Sequence, residues 1–171
     1  YYEPPDEGGR PSCNRDLKVL ILIEEAKMKI AIGSDHGGFD LKEIVKAHLE
    51  EKGFTVQDFG CYDKSSCDYP EYGRAVAEAV AAGECEKGVV ICTTGIGISI
   101  TANKVPGIRA ALCGDCTSAR LTREHNDANV LALGAGIVGT YQALDIVDIF
   151  FGTDFSNMEK HSRRVASIEK R

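Results

Sequence analysis

The chain has 171 residues, 43% of them hydrophobic and 27% charged, a size and composition suited to one soluble globular domain. Its 20 Lys and Arg against 26 Asp and Glu give a net charge of −6, which excludes a general nucleic-acid binder, since that class carries a clustered basic face. No run approaches the roughly 18 apolar residues of a membrane span, and 7 cysteines without framework spacing point to reduced thiols in the cytoplasm.

Residues 1–16 (YYEPPDEGGRPSCNRD) read as a polar tail rich in Pro and Gly. Residues 17–27 offer a further strand or helix turn. Their apolar run Val19–Ile23 lacks a small-residue cleavage site and is followed by Glu24 and Glu25, unlike a signal peptide. We therefore read 1–27 as an N-terminal extension and 28–171 as the domain.

From Met28 onward, strand-like runs alternate with helical patterns. Residues 29–33 predict a short buried strand, followed by Asp35-His36-Gly37-Gly38. Leu41, Ile44, Val45, His48 and Leu49 recur at helical spacing and stop at Gly53. Residues 54–59 alternate as a strand, and a Cys/Asp/Tyr-rich loop leads through Pro70 into an Ala-rich helix ending near Gly83. Strands are expected at 88–92, 108–112 and 129–133, with helices at 98–104, 117–124, 141–151 and 159–170. Such alternation predicts an α/β fold, a parallel sheet of five strands covered on both faces. Ligands bind such sheets at the carboxyl ends of the strands. The polar punctuation falls there: Asp35-His36, Cys92-Thr93-Thr94 and Gly134-Ala135-Gly136.

The stretch ICTTGIGIS (91–99) places Cys92 at a strand end, facing a glycine turn that opens a helix. Backbone N–H groups of such a turn favour a thiolate and can also hold a phosphate or a developing oxyanion. A buried small side chain is the plain alternative. A cysteine-dependent phosphatase needs an arginine after five intervening residues. That position is Ile98, followed by Ser99, so the reading fails. Residues 134–139 match GxGxxG, but no strand with an acidic residue follows at dinucleotide-fold spacing, so a packing turn is favoured. Cys113-Gly114-Asp115-Cys116 lacks the second ligand pair of a metal site, and no metal or cofactor is expected. Of the four histidines, His48 lies on a helix and reads as structural, whereas His36 and His125 fall in loops beside polar partners, Asp35 and Asn126. With Cys92 and the basic patch Lys160-His161-Ser162-Arg163-Arg164, they form a set of base, acid and phosphate anchors.

The segments GSDHGG (33–38), ICTTGIGIS (91–99), ANKVPGIRAAL (102–112), REHNDANVLALG (123–134) and KHSRRV (160–165) stand in the order of the ribose-5-phosphate isomerase B family, which also includes the galactose-6-phosphate isomerase subunits, and residues 28–171 resemble it. The resemblance implies a Rossmann-like three-layer sandwich, a homodimer or dimer of dimers with sites between subunits, and cofactor-free aldose–ketose isomerisation of a sugar phosphate. It further implies that Cys92 takes the proton from C2. The enediolate oxygens would then be held by N–H groups of Thr93, Thr94, Gly95, Ile96 and Gly97. His125 would open the sugar ring with help from Asp35 and Thr94, while His36, Asn126, Lys160 and Arg164 contact substrate and phosphate. A second branch of the family carries a glutamate base at the position of Ile98, and isoleucine cannot serve. Three positions depart from the family pattern: Thr93 replaces a usual glycine, Gly136 an arginine common there, and Lys160 a usual arginine. A six-carbon aldose 6-phosphate, or binding without catalysis, are therefore the alternatives to ribose 5-phosphate.

Overall fold

The computed structural model describes residues 27–170, so the readings of 1–16 as a tail and of 17–26 as a strand or helix turn lie outside the described residues. Five strands are present: β1 (Lys29–Ser34), β2 (Thr55–Asp58), β3 (Lys87–Cys92), β4 (Ala110–Leu112) and β5 (Val130–Gly134). All pair in parallel, in the order β2-β1-β3-β5-β4. The helices among the described residues are α1 (Phe39–Glu51), α2 (Tyr69–Ala81), α3 (Ile96–Ala102), α4 (Cys116–Asn126), α5 (Thr140–Gly152) and α6 (Glu159–Ile168).

The two-residue period of the strands sorts the core into two layers. Ile30, Ile32, Val89, Ile91, Leu131 and Leu133 pack with Leu41, Val45 and Leu49 of α1 and Ala143, Ile146, Val147 and Phe150 of α5. The intervening residues Ala31, Val90, Cys92, Val130 and Ala132 face Val76, Ala77 and Val80 of α2 and Ile98 and Ala102 of α3. Ile, Leu and Val of the sheet thus fill one layer, and the smaller set of Ala, Cys and Val the other. The Ala-rich α2 can consequently lie close to the sheet: a Cβ added to Gly88 would stand 2.7 Å from the Val76 side chain. The expected three-layer α/β architecture with a five-stranded parallel sheet is what the chain adopts.

Most boundaries shift by one or two residues from the sequence reading, and two of the shifts have a visible local cause. The short helix begins at Ile96 rather than Ile98, because Gly95 turns the chain in the left-handed region at φ 75°. The fourth strand begins at Ala110 rather than Ile108, because Arg109 N–H is taken by the side chain of Asn129 instead of a neighbouring strand.

Candidate active site

The carboxyl ends of β1, β3 and β5 meet at a backbone junction. Asp35 N–H donates to the Ile91 carbonyl at 3.3 Å, Ala135 N–H to Cys92 at 2.9 Å and Gly136 N–H to Thr93 at 2.8 Å. This crossing leaves no room for a Cβ at Gly38, which would lie 2.5 Å from the Ile91 carbonyl oxygen. The same holds for Gly134, 2.5 Å from the Thr94 carbonyl oxygen. Gly134, the first glycine of GxGxxG, therefore serves packing of one turn against another.

Cys92 ends β3 with its side chain on the α2/α3 side of the sheet, 5% exposed. Its Sγ accepts the Gly95 N–H at 3.1 Å. That contact fixes the sulfur at the head of the glycine turn. Thr94 Oγ1 accepts the Ile96 N–H at 3.2 Å, fixing the next step of the turn. Two of the N–H groups of the 93–97 turn thus hold chain atoms. Asp35 is buried, and its Oδ1 accepts the Gly38 N–H at 3.0 Å, which orients the loop carrying His36.

His36 is exposed, and its Nδ1 stands 3.2 Å from both the carbonyl oxygen and the N–H of Cys67. The unprotonated Nδ1 accepts from that N–H and the protonated one donates to the carbonyl, so either state is held. Cys67 could not be found from sequence spacing, since the contact joins residues 31 apart. Thr93 fills the space between the β1 and β5 turns: a Cβ on Gly37 would run into its Oγ1, and one on Gly136 would stand 3.3 Å from its Cγ2.

The remaining site candidates lie elsewhere. His125 and Asn126 close α4, which runs back from the carboxyl end of β4 toward the start of β5. The Asn126 carbonyl accepts from Arg109, just before β4, and Asn129 accepts the N–H of Gly88 at the start of β3. Cys92, in contrast, pairs with Gly134 at the far end of β5. Four residue steps at about 3.3 Å separate the two ends, roughly 13 Å. Lys160 and Arg164 follow His125 to the amino end. They sit one helical turn apart on α6, whose His161 stacks on His125 with ring centroids 4.4 Å apart. The set of base, acid and phosphate anchors read from the sequence is therefore divided between two ends of one chain. Topology causes this, because a helix following a parallel strand must return to the opposite edge.

The amino end carries a residue whose part the sequence left unread. His161 is buried and its Nδ1 shares a 2.7 Å hydrogen bond with Ser156 Oγ. Burial, then the charges of His125, Lys160 and Arg164, hold His161 below the usual histidine range. Its ring forms a buried platform under His125. A cavity of about 480 Å³ also lies at this end, lined by Asn126, Arg109 and Lys104 among others. A smaller, mostly apolar one of about 290 Å³ adjoins Thr94, between Ile96, Leu112 and Ile137. In the CxxC stretch, burial pushes the Cys113 thiol up to about 11, and Asp115 caps α4 by accepting the Ser118 N–H at 2.8 Å. Both fit a packing role.

A parallel three-layer fold with a thiol held over a glycine turn defines the class to which comparison with known proteins also leads. Residues 30–168 match the Ribose/Galactose Isomerase family, and the chain belongs to it. It is 49% identical over 140 residues to ribose-5-phosphate isomerase B of Escherichia coli (strain K12), covering 82% of this chain and 93% of that one. The structure of Clostridium thermocellum ribose-5-phosphate isomerase B superposes with a TM-score of 0.82 at 55% identity, covering 83% of this chain and 95% of that one. Ribose-5-phosphate isomerase B from Mycoplasma genitalium with bound ribulose 5-phosphate does so with a TM-score of 0.79 at 39% identity, covering 83% and 94%.

Proposed function

We propose that this chain interconverts ribose 5-phosphate and ribulose 5-phosphate, with Cys92 as the base. The observation that carries the reading is the 3.1 Å hydrogen bond from Gly95 N–H to Cys92 Sγ, at the head of a turn able to receive an oxyanion. The E. coli relative's activity and the ligand of the Mycoplasma structure support the choice of substrate. In this mechanism His125 moves the proton that opens the furanose ring, with Asp35 and Thr94 at the ring oxygens. Cys92 thiolate takes the C2 proton, and the electron pair of that bond forms the enediolate, whose oxygens rest on N–H groups of residues 93–97. Return of the proton to C1, with the O2 hydroxyl proton passing to O1, gives the ketose. Asn126 and His36 bind the sugar phosphate, and Lys160 and Arg164 attract its phosphate.

The division of these residues between two sheet ends supports a homodimer in which one copy's His125 end meets the other's Cys92 end. Ile96 at 52%, Leu112 at 43% and Ile137 at 68% exposure line the apolar pocket beside Thr94 and suit burial under a second copy. Thr93, wedged between Gly37 and Gly136, narrows the site toward the five-carbon sugar. The described cysteines are free thiols, which fits the cytoplasm. Among the described residues, no helix is long and apolar enough to cross a membrane.

The test is isomerisation of ribose 5-phosphate by the purified chain in deuterated water, beside allose and galactose 6-phosphates. Deuterium in the product and a preference for the pentose are expected. Absence of turnover with tight ribose 5-phosphate binding would overturn catalysis, and faster turnover of a hexose phosphate would overturn the substrate.

A further inference from the structure

The last turns of α4 and α6 meet at one side chain, Arg109, which no step of the proposed mechanism uses. Its backbone is fixed beside the start of β5, where Asn129 Oδ1 accepts its N–H at 2.8 Å and its carbonyl accepts the Asn129 N–H at 3.1 Å. From there the guanidinium reaches the end of α4. Nε donates to the Asn126 carbonyl at 3.0 Å and Nη2 to that of Asp127 at 2.8 Å. Asp127 turns the chain in the left-handed region at φ 47°, and the buried Arg123 donates to its Oδ1 at 2.7 Å from the other side. The remaining nitrogen of Arg109, Nη1, pairs with Glu169 at the end of α6.

Among the residues of α6 only His161 is buried, near the helix start, so the far end needs another hold. Glu169 caps that end, its N–H donating to the Val165 carbonyl at 3.3 Å. A carboxylate there is opposed by the helix dipole. Its place is explained by Arg109 and not by the helix it ends. With His161 stacked on His125 and Glu169 paired with Arg109, α6 is fastened at both ends to the last turn of α4. We propose that Arg109 is a positioning residue, which bolts the last turns of α4 and α6 together and so sets the phosphate anchors Lys160 and Arg164 against His125 and Asn126. The clamp itself rests on the hydrogen bonds above; its effect on substrate rests on the isomerase reading of those four residues. Exposed ion pairs ordinarily contribute little, because two long side chains must be ordered. Here the carbonyls already order the guanidinium fork, so closing the pair orders Glu169 alone. A lysine at 109 would keep the charge but lose the planar fork that meets both carbonyls and Glu169.

Glu169→Gln separates the clamp from a helix-end effect by its sign. It removes a charge that the dipole opposes, so α6 on its own would become firmer, whereas loss of the pair loosens it. Hydrogen–deuterium exchange of the full chain, read by mass spectrometry, should run about threefold faster over 162–168 in Glu169→Gln, the effect of one ion pair, and stay native over β1 and β3. Equal or slower exchange over 162–168 would overturn the clamp, whatever substrate the protein turns over. In the kinetic arm, Glu169→Gln should raise KM for ribose 5-phosphate about threefold at native kcat, because a contact made equally in ground and transition states is weakened. A merely less stable fold would lose active enzyme and lower the apparent kcat without moving KM. Arg109→Lys should also lower kcat about tenfold, since the turn that carries His125 loses its hold. Native kcat in Arg109→Lys would overturn the hold on His125, and faster exchange with native KM in Glu169→Gln would overturn the effect on the phosphate anchors. Absence of turnover in the native chain would strike the isomerase reading instead, and the exchange result would still decide the clamp.

Discussion

The two ends of the sheet are built in different ways. At the carboxyl end, three turns cross so tightly that glycines are required at 38 and 134, and Asp35 and Cys92 are buried with defined hydrogen-bond partners. Lys42, with no exposed surface, and Lys46 converge there on Asp58 at 2.6 and 3.1 Å. At the amino end, Asn126, Lys160 and Arg164 are exposed, while His125 stacks on the buried His161 and Arg109 holds the Asn126 carbonyl. In the proposed mechanism the first end supplies the fixed base and fixed dipoles that proton abstraction demands. The second holds flexible cations suited to attracting a phosphate, which tolerates looser geometry.

The largest effect should follow removal of the base. Cys92→Ala should lower kcat by about 10³-fold, within the range of general-base catalysis, with KM little changed. Steady-state kinetics with ribose 5-phosphate read this, and a variant retaining native kcat would remove Cys92 from the chemistry. A companion experiment tests whether the ends work together across two chains. His125→Ala should also be inactive, yet unfolding and refolding it with an equal amount of Cys92→Ala should restore about a quarter of native activity. Half of the dimers would then be mixed, each with one intact site of two, as two-fold symmetry requires. If both ends served one site within a chain, no mixture would recover activity.

Much of this division was hidden in the sequence for a physical reason. Periodicity reports which face of an element is buried, so the five strands, the six helices and the position of Cys92 before a glycine turn could be read directly. It does not report which end of a folded layer a loop occupies. His125 and Asn126 close a helix that returns along the sheet, and only the parallel topology reveals that they end opposite Cys92. Contacts between distant segments were equally silent. The His36–Cys67 contact spans 31 residues, and the Ser156–His161–His125 arrangement depends on how α6 lies against α4. Thr93, Gly136 and Lys160 stood out as departures from the family pattern, but only the structure puts Thr93 in the gap beside Gly136.

Stability should separate the ends next. Asp58→Asn leaves the buried Lys42 without its main partner and should cost about 3 kcal/mol, as when one member of a buried ion pair is removed. The native pair should also show in acid. Although burial opposes ionisation, hydrogen bonds from Lys42, the Gly60 N–H and Lys46 hold Asp58 below the ordinary carboxylate range. A lowered folded value stabilises above the unfolded pKa, and that contribution is lost as pH falls through the folded one. Denaturant titrations of the native chain should therefore weaken below about pH 4, and Asp58→Asn should flatten that decline. An equally steep acid loss in the variant would place the responsible group elsewhere.

The smallest effect belongs to the amino end. Lys160 offers a point charge on a flexible stem, whereas an arginine presents a planar fork that meets two phosphate oxygens at once. Lys160 and Arg164 lie one turn apart on an exposed helix face, so the longer side chain at 160 meets no packing obstacle. Lys160→Arg should accordingly lower KM for ribose 5-phosphate by about threefold and leave kcat unchanged, because the phosphate is bound equally in ground and transition states. The gain should shrink as salt is raised, as for any exposed charge pairing. A change in kcat instead of KM would mean that the amino end takes part in the proton transfers, and the contrast between a rigid chemical end and a loose electrostatic one would fail.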